Sequence, residues 1–315
     1  MRWWSDGRSA MSRSKREALA QTSPVPRRGG KLWTDENGDL RTGWLLAASL
    51  FGYALVALAT RYGLIRAFAA LFDAWRIDAS NVHRAPAWAG AVYAWHGSLA
   101  TLASAALTLL LARGLRRLWG LDGALIDRPF GKLWRSALTG LLAAIVLIAI
   151  CLLPDSMRPE WPLTAPRFGW TLPAVAIISF ISTLAEEAFT KRVLFDGLRR
   201  RWGNLWATAL VSVVFWLIGG GPAAGVVGSI NALLLGWAGC ILYAGYGLWT
   251  AVGFRWGWSV ANVFLLGFGG GEASVYRFYG VSEALLTGGD AGLMHGLWTT
   301  LLLAGMIVLL SLKRK

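Results

Sequence analysis

Residues 180–189 read Phe180-Ile181-Ser182-Thr183-Leu184-Ala185-Glu186-Glu187-Ala188-Phe189, an apolar run that contains two adjacent carboxylates. An acidic side chain at the centre of a bilayer costs about 2.5–3.5 kcal/mol on insertion scales. Acidic residues of membrane helices therefore face a polar interior and often mark functional sites. The run predicts a membrane helix that turns Glu186 and Glu187 toward a polar intramembrane cavity.

The composition extends this prediction to the whole chain. Hydrophobic residues make up 56% of the 315 residues and charged residues only 15%, which excludes an ordinary soluble domain. Because a membrane-spanning helix needs about 20 apolar residues, we predict an all-α polytopic membrane protein of about eight transmembrane helices. The eight apolar runs lie at 43–60, 87–111, 136–153, 171–190, 204–219, 226–245, 247–268 and 292–311. The fifth run is short and the region 226–268 can be divided differently, so seven helices remain an alternative.

The basic residues predict the orientation. If the N-terminus is cytoplasmic, 23 of the 31 Lys and Arg residues lie in the cytoplasmic segments 1–41, 112–135, 191–203 and 313–315. Seven lie in the outer loops 61–86, 154–170 and 269–290, and Arg255 lies in a predicted helix. The positive-inside rule therefore places both termini of this multi-pass protein on the cytoplasmic side of the cell membrane. These segments also account for the net charge of +14, so we expect no nucleic-acid partner. Their expected partners are anionic membrane lipids.

The first 41 residues differ from the rest of the chain. Residues 1–41 mix Ser, Pro, Gly and charges, and we predict a basic, disordered cytoplasmic arm, with Met1 or Met11 as its start. Residues 42–315 contain no long polar linker, which predicts one membrane domain. Within it, residues 62–86 carry apolar side chains at helical spacing between charges, and we expect an amphipathic helix on the outer surface. The oligomeric state is left open.

A second polar interruption lies in the seventh apolar run. Arg255, Ser259 and Asn262 are spaced i, i+4 and i+7, so they should share one face of a helix. A buried guanidinium needs a carboxylate partner. We therefore predict an ion pair between Arg255 and the acidic pair Glu186 and Glu187.

These residues resemble the pattern of a known family, the CPBP intramembrane proteases, which include the type II CAAX prenyl endopeptidases and bacteriocin-processing enzymes. The resemblance covers about 170–264. The family pattern is Glu-Glu-x-x-x-Arg, then Phe-x-x-x-His, then His-x-x-x-Asn; Glu186, Glu187 and Phe215 match it. The resemblance implies an endopeptidase whose first glutamate activates water, while the histidines and the asparagine assist it and stabilise the oxyanion.

Four positions depart from the family pattern. Lys191 replaces the arginine, Gly219 and Arg255 replace the two histidines, and Ser259 replaces the asparagine. A general base must accept a proton, and an ion pair with Arg255 favours the charged carboxylate and weakens it as a base. We therefore expect a CAAX protease-like protein with lost or altered catalysis, which binds a peptide or membrane-protein partner without cutting it.

Two alternatives stay open. In an active glutamate-dependent intramembrane protease, Glu186 is the base, Glu187 supports it, and Arg255 and Ser259 donate to the oxyanion. The other alternative is a small multi-pass transporter, although the internal repeats typical of transporters are not evident.

Lys191 and Asn262 are weaker candidates for the same site. Lys191 follows Glu187 by four residues, which is also the spacing of a structural helix salt bridge. Asn262 only extends the polar face of the seventh run.

No cofactor is expected. His83, His96 and His295 match no motif position, and two carboxylates without the motif histidines make a poor site for a divalent metal. His96, in the second apolar run, is a candidate to approach the cavity. Cys151 and Cys240 lie within predicted helices, which disfavours a structural disulfide.

Overall fold

The computed structural model describes nine parts of the chain. They are residues 41–78, 86–126, 131–152, 157–160, 171–219, 221–265, 277–280, 284–288 and 292–312. Residues 1–40 lie outside them, so the predicted disorder of the basic arm stays a prediction. His83 also lies outside the described residues.

Helices occupy the positions of all eight predicted runs, and π-helical turns extend some of them. The helices are α1 (Thr42–Leu58), α2 (Ile65–Ala74), α3 (Ala87–Leu118), α4 (Gly131–Leu152), α5 (Thr171–Glu187), α6 (Asp196–Ile218), α7 (Gly225–Tyr246), α8 (Leu248–Ser259), α9 (Ala284–Thr287) and α10 (Leu297–Leu312). The π-helical turns are Ala59–Leu64, Ala188–Phe195 and Val260–Leu265, and the 3₁₀ turns are Gly221–Ala224 and Leu293–His295.

The helices form a multi-pass membrane protein, which confirms the predicted fold class. Five described helical segments are long and apolar enough to cross a membrane, and α10 is a shorter apolar helix. Large apolar side chains project from the bundle, among them Phe51, Leu110 and Val226, which are 67%, 66% and 78% exposed. Such a surface suits lipid rather than water. The five segments are Thr42–Ala74, Trp95–Leu118, Gly131–Ile150, Pro173–Ile218 and Gly221–Tyr246.

A two-stranded ribbon is the exception to the helical fold. Strands β1 (Met157–Glu160) and β2 (Arg277–Gly280) pair antiparallel. Both lie in segments predicted as outer loops, so their pairing is consistent with loops at one end of the bundle. The sequence analysis did not predict this ribbon.

The predicted surface helix at 62–86 is instead a continuation of the first helix. The chain passes from α1 through the π-helical turn Ala59–Leu64 directly into α2. Phe72 of α2 packs edge-on against Tyr93 of α3, with the ring centroids 5.0 Å apart. Packing on α3 thus holds the apolar face of α2, so this face needs no separate location on the membrane surface.

The helix that begins as α5 is longer than predicted. The sequence analysis ended this apolar run at residue 190 and counted 191–203 as a cytoplasmic segment. The helix in fact continues through Ala188–Phe195 to Gly203, whose φ of 81° interrupts α6. Phe195 and Leu198 are fully buried, so apolar packing carries the helix past the basic residues.

Glycines bring α4 and α8 into backbone contact. A Cβ atom at Gly257 would lie 2.4 Å from the Ala137 carbonyl oxygen, and one at Gly253 would lie 2.7 Å from the Leu133 carbonyl oxygen. Gly140 on α4 is equally close to α8. Small residues four apart allow membrane helices to approach in this way. This contact fixes the position of α8, the helix that carries Arg255.

Glycines on α7 likewise receive side chains from its neighbours. A Cβ atom at Gly236 would lie 3.0 Å from the Phe215 Cβ, and one at Gly239 would lie 3.4 Å from the Lys191 Nζ. Near the N-terminal end of α7, the buried Asn231 donates hydrogen bonds of 2.8 and 3.0 Å to the carbonyl oxygens of Met294 and Gly296. One helix therefore supports both the acidic region and the C-terminal segment.

Candidate functional site

The candidate site lies where α5, the turn Ala188–Phe195, α6 and α8 meet. Glu186 and Glu187 end α5, and Lys191 follows one turn later. Phe215 comes from α6 and Arg255 from α8. Residues separated by almost 70 positions thus form one cluster, which we call the ion-pair cluster: Glu186, Glu187, Lys191, Phe215 and Arg255.

Arg255 bridges the two carboxylates, as the sequence predicted. Its Nη1 donates a hydrogen bond of 3.2 Å to Oε1 of Glu187. Its Nη2 donates to Oε2 of Glu186. Each carboxylate thus receives one N–H of the same guanidinium, a charge-assisted contact of the strong kind.

Lys191 supplies a second cation to the cluster. Its Nζ lies 3.8 Å from Oε2 of Glu187, which is the predicted i, i+4 salt bridge. Neither of these two atoms has a hydrogen-bond partner among the described residues. The sequence analysis counted Lys191 in the cytoplasmic segment 191–203, yet its side chain is fully buried. It is a member of the interior cluster.

The Phe215 ring contacts both cations. The Arg255 Cζ lies 4.5 Å from the ring centroid and the Lys191 Nζ lies 5.6 Å from it. Cations are attracted to the face of an aromatic ring, more strongly where water is excluded. Phe215 was identified only as a motif match, and its contacts with the two cations were not predicted. The unexpected cations Lys191 and Arg255 were the sequence feature from which these contacts could have been predicted.

The two carboxylates differ in their access to the surroundings. The side chains of Glu186 and Arg255 are 23% and 19% exposed. Those of Glu187 and Lys191 are 2% and 0% exposed. The cluster therefore has a buried pair and a partly open pair, which the sequence could not distinguish because the two acids are neighbours.

Asn262, predicted on the same polar face, is buried in the π-helical turn that begins at Val260, just after α8 ends at Ser259. Its Nδ2 donates a hydrogen bond of 2.9 Å to the carbonyl oxygen of Trp258, within its own helix. Its place on the face of Arg255 stays a prediction. Ser259 is half-buried, one turn beyond Arg255.

Gly219 ends α6 and leaves room for a side chain. Its N–H donates to the Phe215 carbonyl oxygen at 2.9 Å. Among the described residues, a Cβ atom at this position would meet only the carbonyl oxygens of Phe215 and Trp216, at 3.3 and 3.7 Å. The position at which the resemblance would have a histidine is therefore not filled by close packing.

The remaining histidines lie in other surroundings. His96 packs against Phe68, Phe72 and Tyr93, and its Nδ1 lies 2.7 Å from the Tyr93 carbonyl oxygen. His295 packs against Gly228. Within the described parts of the chain, no group of three or more His, Cys, Asp or Glu side chains is arranged to hold a metal ion.

A second buried group of polar side chains lies near the C-terminal end of α7. The sequence analysis did not predict it. The Tyr243 hydroxyl donates a hydrogen bond of 2.7 Å to Asp196 Oδ2. Arg116 donates to the carbonyl oxygen of Arg192 at 3.1 Å and also to the loop after α3. These contacts anchor the long helix that runs from α5 into α6 to its neighbours α3 and α7. Asp196, an acid at the end of a basic and apolar stretch, was the only local signal.

The comparisons with known proteins agree with the geometry. Residues 168–261 match a protein-family model described as "Type II CAAX prenyl endopeptidase Rce1-like". The matched region contains every member of the ion-pair cluster, and it confirms the resemblance predicted for about 170–264. No match was found among the curated proteins or among the solved structures.

Proposed function

We propose, from the premise that residues 168–261 form a type II CAAX prenyl endopeptidase Rce1-like domain, that this protein binds a peptide or membrane-protein partner without cutting it. The observation that carries the proposal is the guanidinium of Arg255, which hydrogen-bonds both Glu186 and Glu187. The acid pair of the family is present but engaged.

The engaged acids are poor general bases. A base must reach the proton that it abstracts and must be able to hold it. Arg255 occupies one oxygen of each carboxylate, and Lys191 lies beside the second oxygen of Glu187. The two positions at which the family has histidines hold Gly219 and Arg255, so no imidazole from the motif assists the acids.

The partner class follows from the family and from the partly open pair. The printed family name describes endopeptidases, which act on peptide chains. Glu186 and Arg255 keep 23% and 19% of their side-chain surface exposed. A peptide segment can therefore contact them from within the membrane, and both groups would engage polar parts of that segment.

An active protease is the second candidate. The same exposure of Glu186 and the position of Ser259 one turn beyond Arg255 favour it. In this version a bound substrate displaces Arg255 from Glu186, which becomes the base. Arg255 and Ser259 then donate to the developing oxyanion.

A cleavage assay separates the two candidates. The purified full-length protein in liposomes is incubated with a peptide library, and products are detected by mass spectrometry. We expect no cleavage by the wild type above the level of Glu186→Ala. We expect cleavage by the double variant Gly219→His with Arg255→His, because the variant frees the acids and restores both imidazoles.

The control removes the acid from the restored protein. Adding Glu186→Ala to the double variant should abolish the gained cleavage. Cleavage by the wild type that is lost in Glu186→Ala would overturn the proposal in favour of the active protease.

A further inference from the structure

The ion-pair cluster balances its charges within itself. It contains two carboxylates, Glu186 and Glu187, and two cations, Lys191 and Arg255. A buried ion is tolerated only when a partner compensates it. An anionic ligand that binds one of these cations must therefore take the place of a carboxylate already there.

The pair of Glu186 and Arg255 can separate while the buried carboxylate of Glu187 keeps a cation beside it. Glu187 has two cationic neighbours, Lys191 and Arg255. If Arg255 turns to another anion, Glu187 keeps Lys191, and both of these groups stay buried. Glu186 and Arg255 form the partly exposed pair, so these are the two groups that can exchange partners.

Arg255 is held in a suitable position for a new carboxylate. The Phe215 ring lies behind its guanidinium at 4.5 Å, and the backbone contact of α8 with α4 at Gly253 and Gly257 fixes the helix. A guanidinium presents its N–H groups as a planar fork that matches a carboxylate in geometry. The fork already holds carboxylate oxygens in this structure, so the site has the required chemistry.

We infer that the open pair is a carboxylate-binding site: a carboxylate of a membrane-embedded ligand, such as the C-terminus of a peptide, displaces Glu186 from Arg255. The inference rests on the proposed function and names the group by which the partner is recognised. No bond is formed or broken; one carboxylate replaces another on the same guanidinium.

The exchange takes place at the open edge of the cluster. A ligand carboxylate takes the place of Glu186 on Arg255, and the Glu186 side chain, already 23% exposed, turns toward the open side.

The test uses purified full-length protein in detergent and a fluorescent, N-acetylated apolar tetrapeptide. The same peptide with a C-terminal amide is the matched ligand control. We expect the free carboxylate to bind at least about tenfold more tightly than the amide, since an ionised partner makes the stronger hydrogen bonds to a guanidinium. A long-chain fatty acid in a third arm reports whether a lipid carboxylate competes for the same site.

The decisive variant is Glu186→Gln, because it should improve binding. It removes the competing carboxylate and leaves the cluster one positive charge in excess, so we expect at least about tenfold tighter binding. Arg255→Met should abolish the preference for the carboxylate, and Lys132→Met, at an exposed position on α4, should change nothing.

Two results would overturn the inference: equal binding of acid and amide, or unchanged or weaker binding by Glu186→Gln. If Arg255→Met fails to fold, the ligand pair and Glu186→Gln still decide. Failure here leaves the cleavage assay untouched, so the proposed function is judged separately.

Discussion

Two adjacent glutamates of the same helix end have different structural roles. Glu187 is 2% exposed and lies between Arg255 and Lys191, whereas Glu186 is 23% exposed and pairs with Arg255. Because consecutive residues of a helix point in different directions, one carboxylate enters the interior and the other lies at its edge. The buried acid compensates a buried lysine, and the edge acid is free to exchange.

This difference predicts unequal costs for the same substitution. Glu187→Ala leaves Lys191 buried without its carboxylate, and we expect it to lower the free energy of unfolding by about 3–5 kcal/mol. Glu186→Ala removes the same atoms from a partly exposed pair, and we expect a loss of about 1 kcal/mol. Unfolding in mixed detergent micelles, followed by Trp fluorescence, measures both. Equal losses would contradict the assignment of the buried acid.

At the scale of elements, helix packing determines where the site forms. The helix that carries Arg255 touches α4 through Gly253 and Gly257, where the backbones are too close for a Cβ atom. The helix of Glu186 and Glu187 continues past these two residues, so Lys191 points inward. The cluster thus depends on two features outside its own residues: a close helix contact and an uninterrupted long helix.

Gly257→Ala tests the helix contact. The added Cβ would lie 2.4 Å from the Ala137 carbonyl oxygen, so we expect α8 to move away and stability to fall by about 1–3 kcal/mol. Gly97→Ala on α3 is the matched control, since its Cβ would meet nothing within 4 Å among the described residues. Thermal unfolding in detergent compares the two. A Gly257→Ala protein as stable as the control would show that α8 is held by other contacts.

At the scale of the whole molecule, the helix ends group into two sets. Near one end, Arg200 donates to the Gly120 carbonyl oxygen and Arg201 to the Thr42 hydroxyl, which joins three segments predicted to be cytoplasmic. The pairing of β1 with β2 joins two loops predicted to be outside. This grouping is compatible with the orientation predicted from the basic residues.

Cysteine labelling tests that orientation. In a background with Cys151 and Cys240 replaced by alanine, Glu160→Cys in β1 and Arg199→Cys before the Gly203 kink are treated with a membrane-impermeant maleimide. We expect Glu160→Cys to react in intact cells and Arg199→Cys to react only after permeabilisation, because the positive-inside rule puts the basic turn in the cytoplasm. The reverse pattern would invert the predicted topology.

Local sequence features predicted much of the site. The acidic pair and Arg255 were identifiable because charges are rare in apolar helices, and their ion pair was expected because a buried guanidinium needs an anion. The place of Asn262 on the polar face stays a prediction, since its described hydrogen bond joins it only to Trp258 of its own helix. The burial of Lys191 was missed, because a basic residue near a predicted helix end usually indicates a loop.

The sequence by itself determined the membrane location, the helical class, the eight apolar runs and the identity of Gly219 and Arg255 at the two motif positions, since run length, charge and residue identity are local properties. Only the tertiary structure decided that Glu187 is buried while Glu186 is open, that Phe215 lies against two cations, and that Arg255 reaches both acids. These facts depend on how closely α8 approaches α4 and on how far the helix that begins as α5 continues. Such contacts join residues that are distant in the chain.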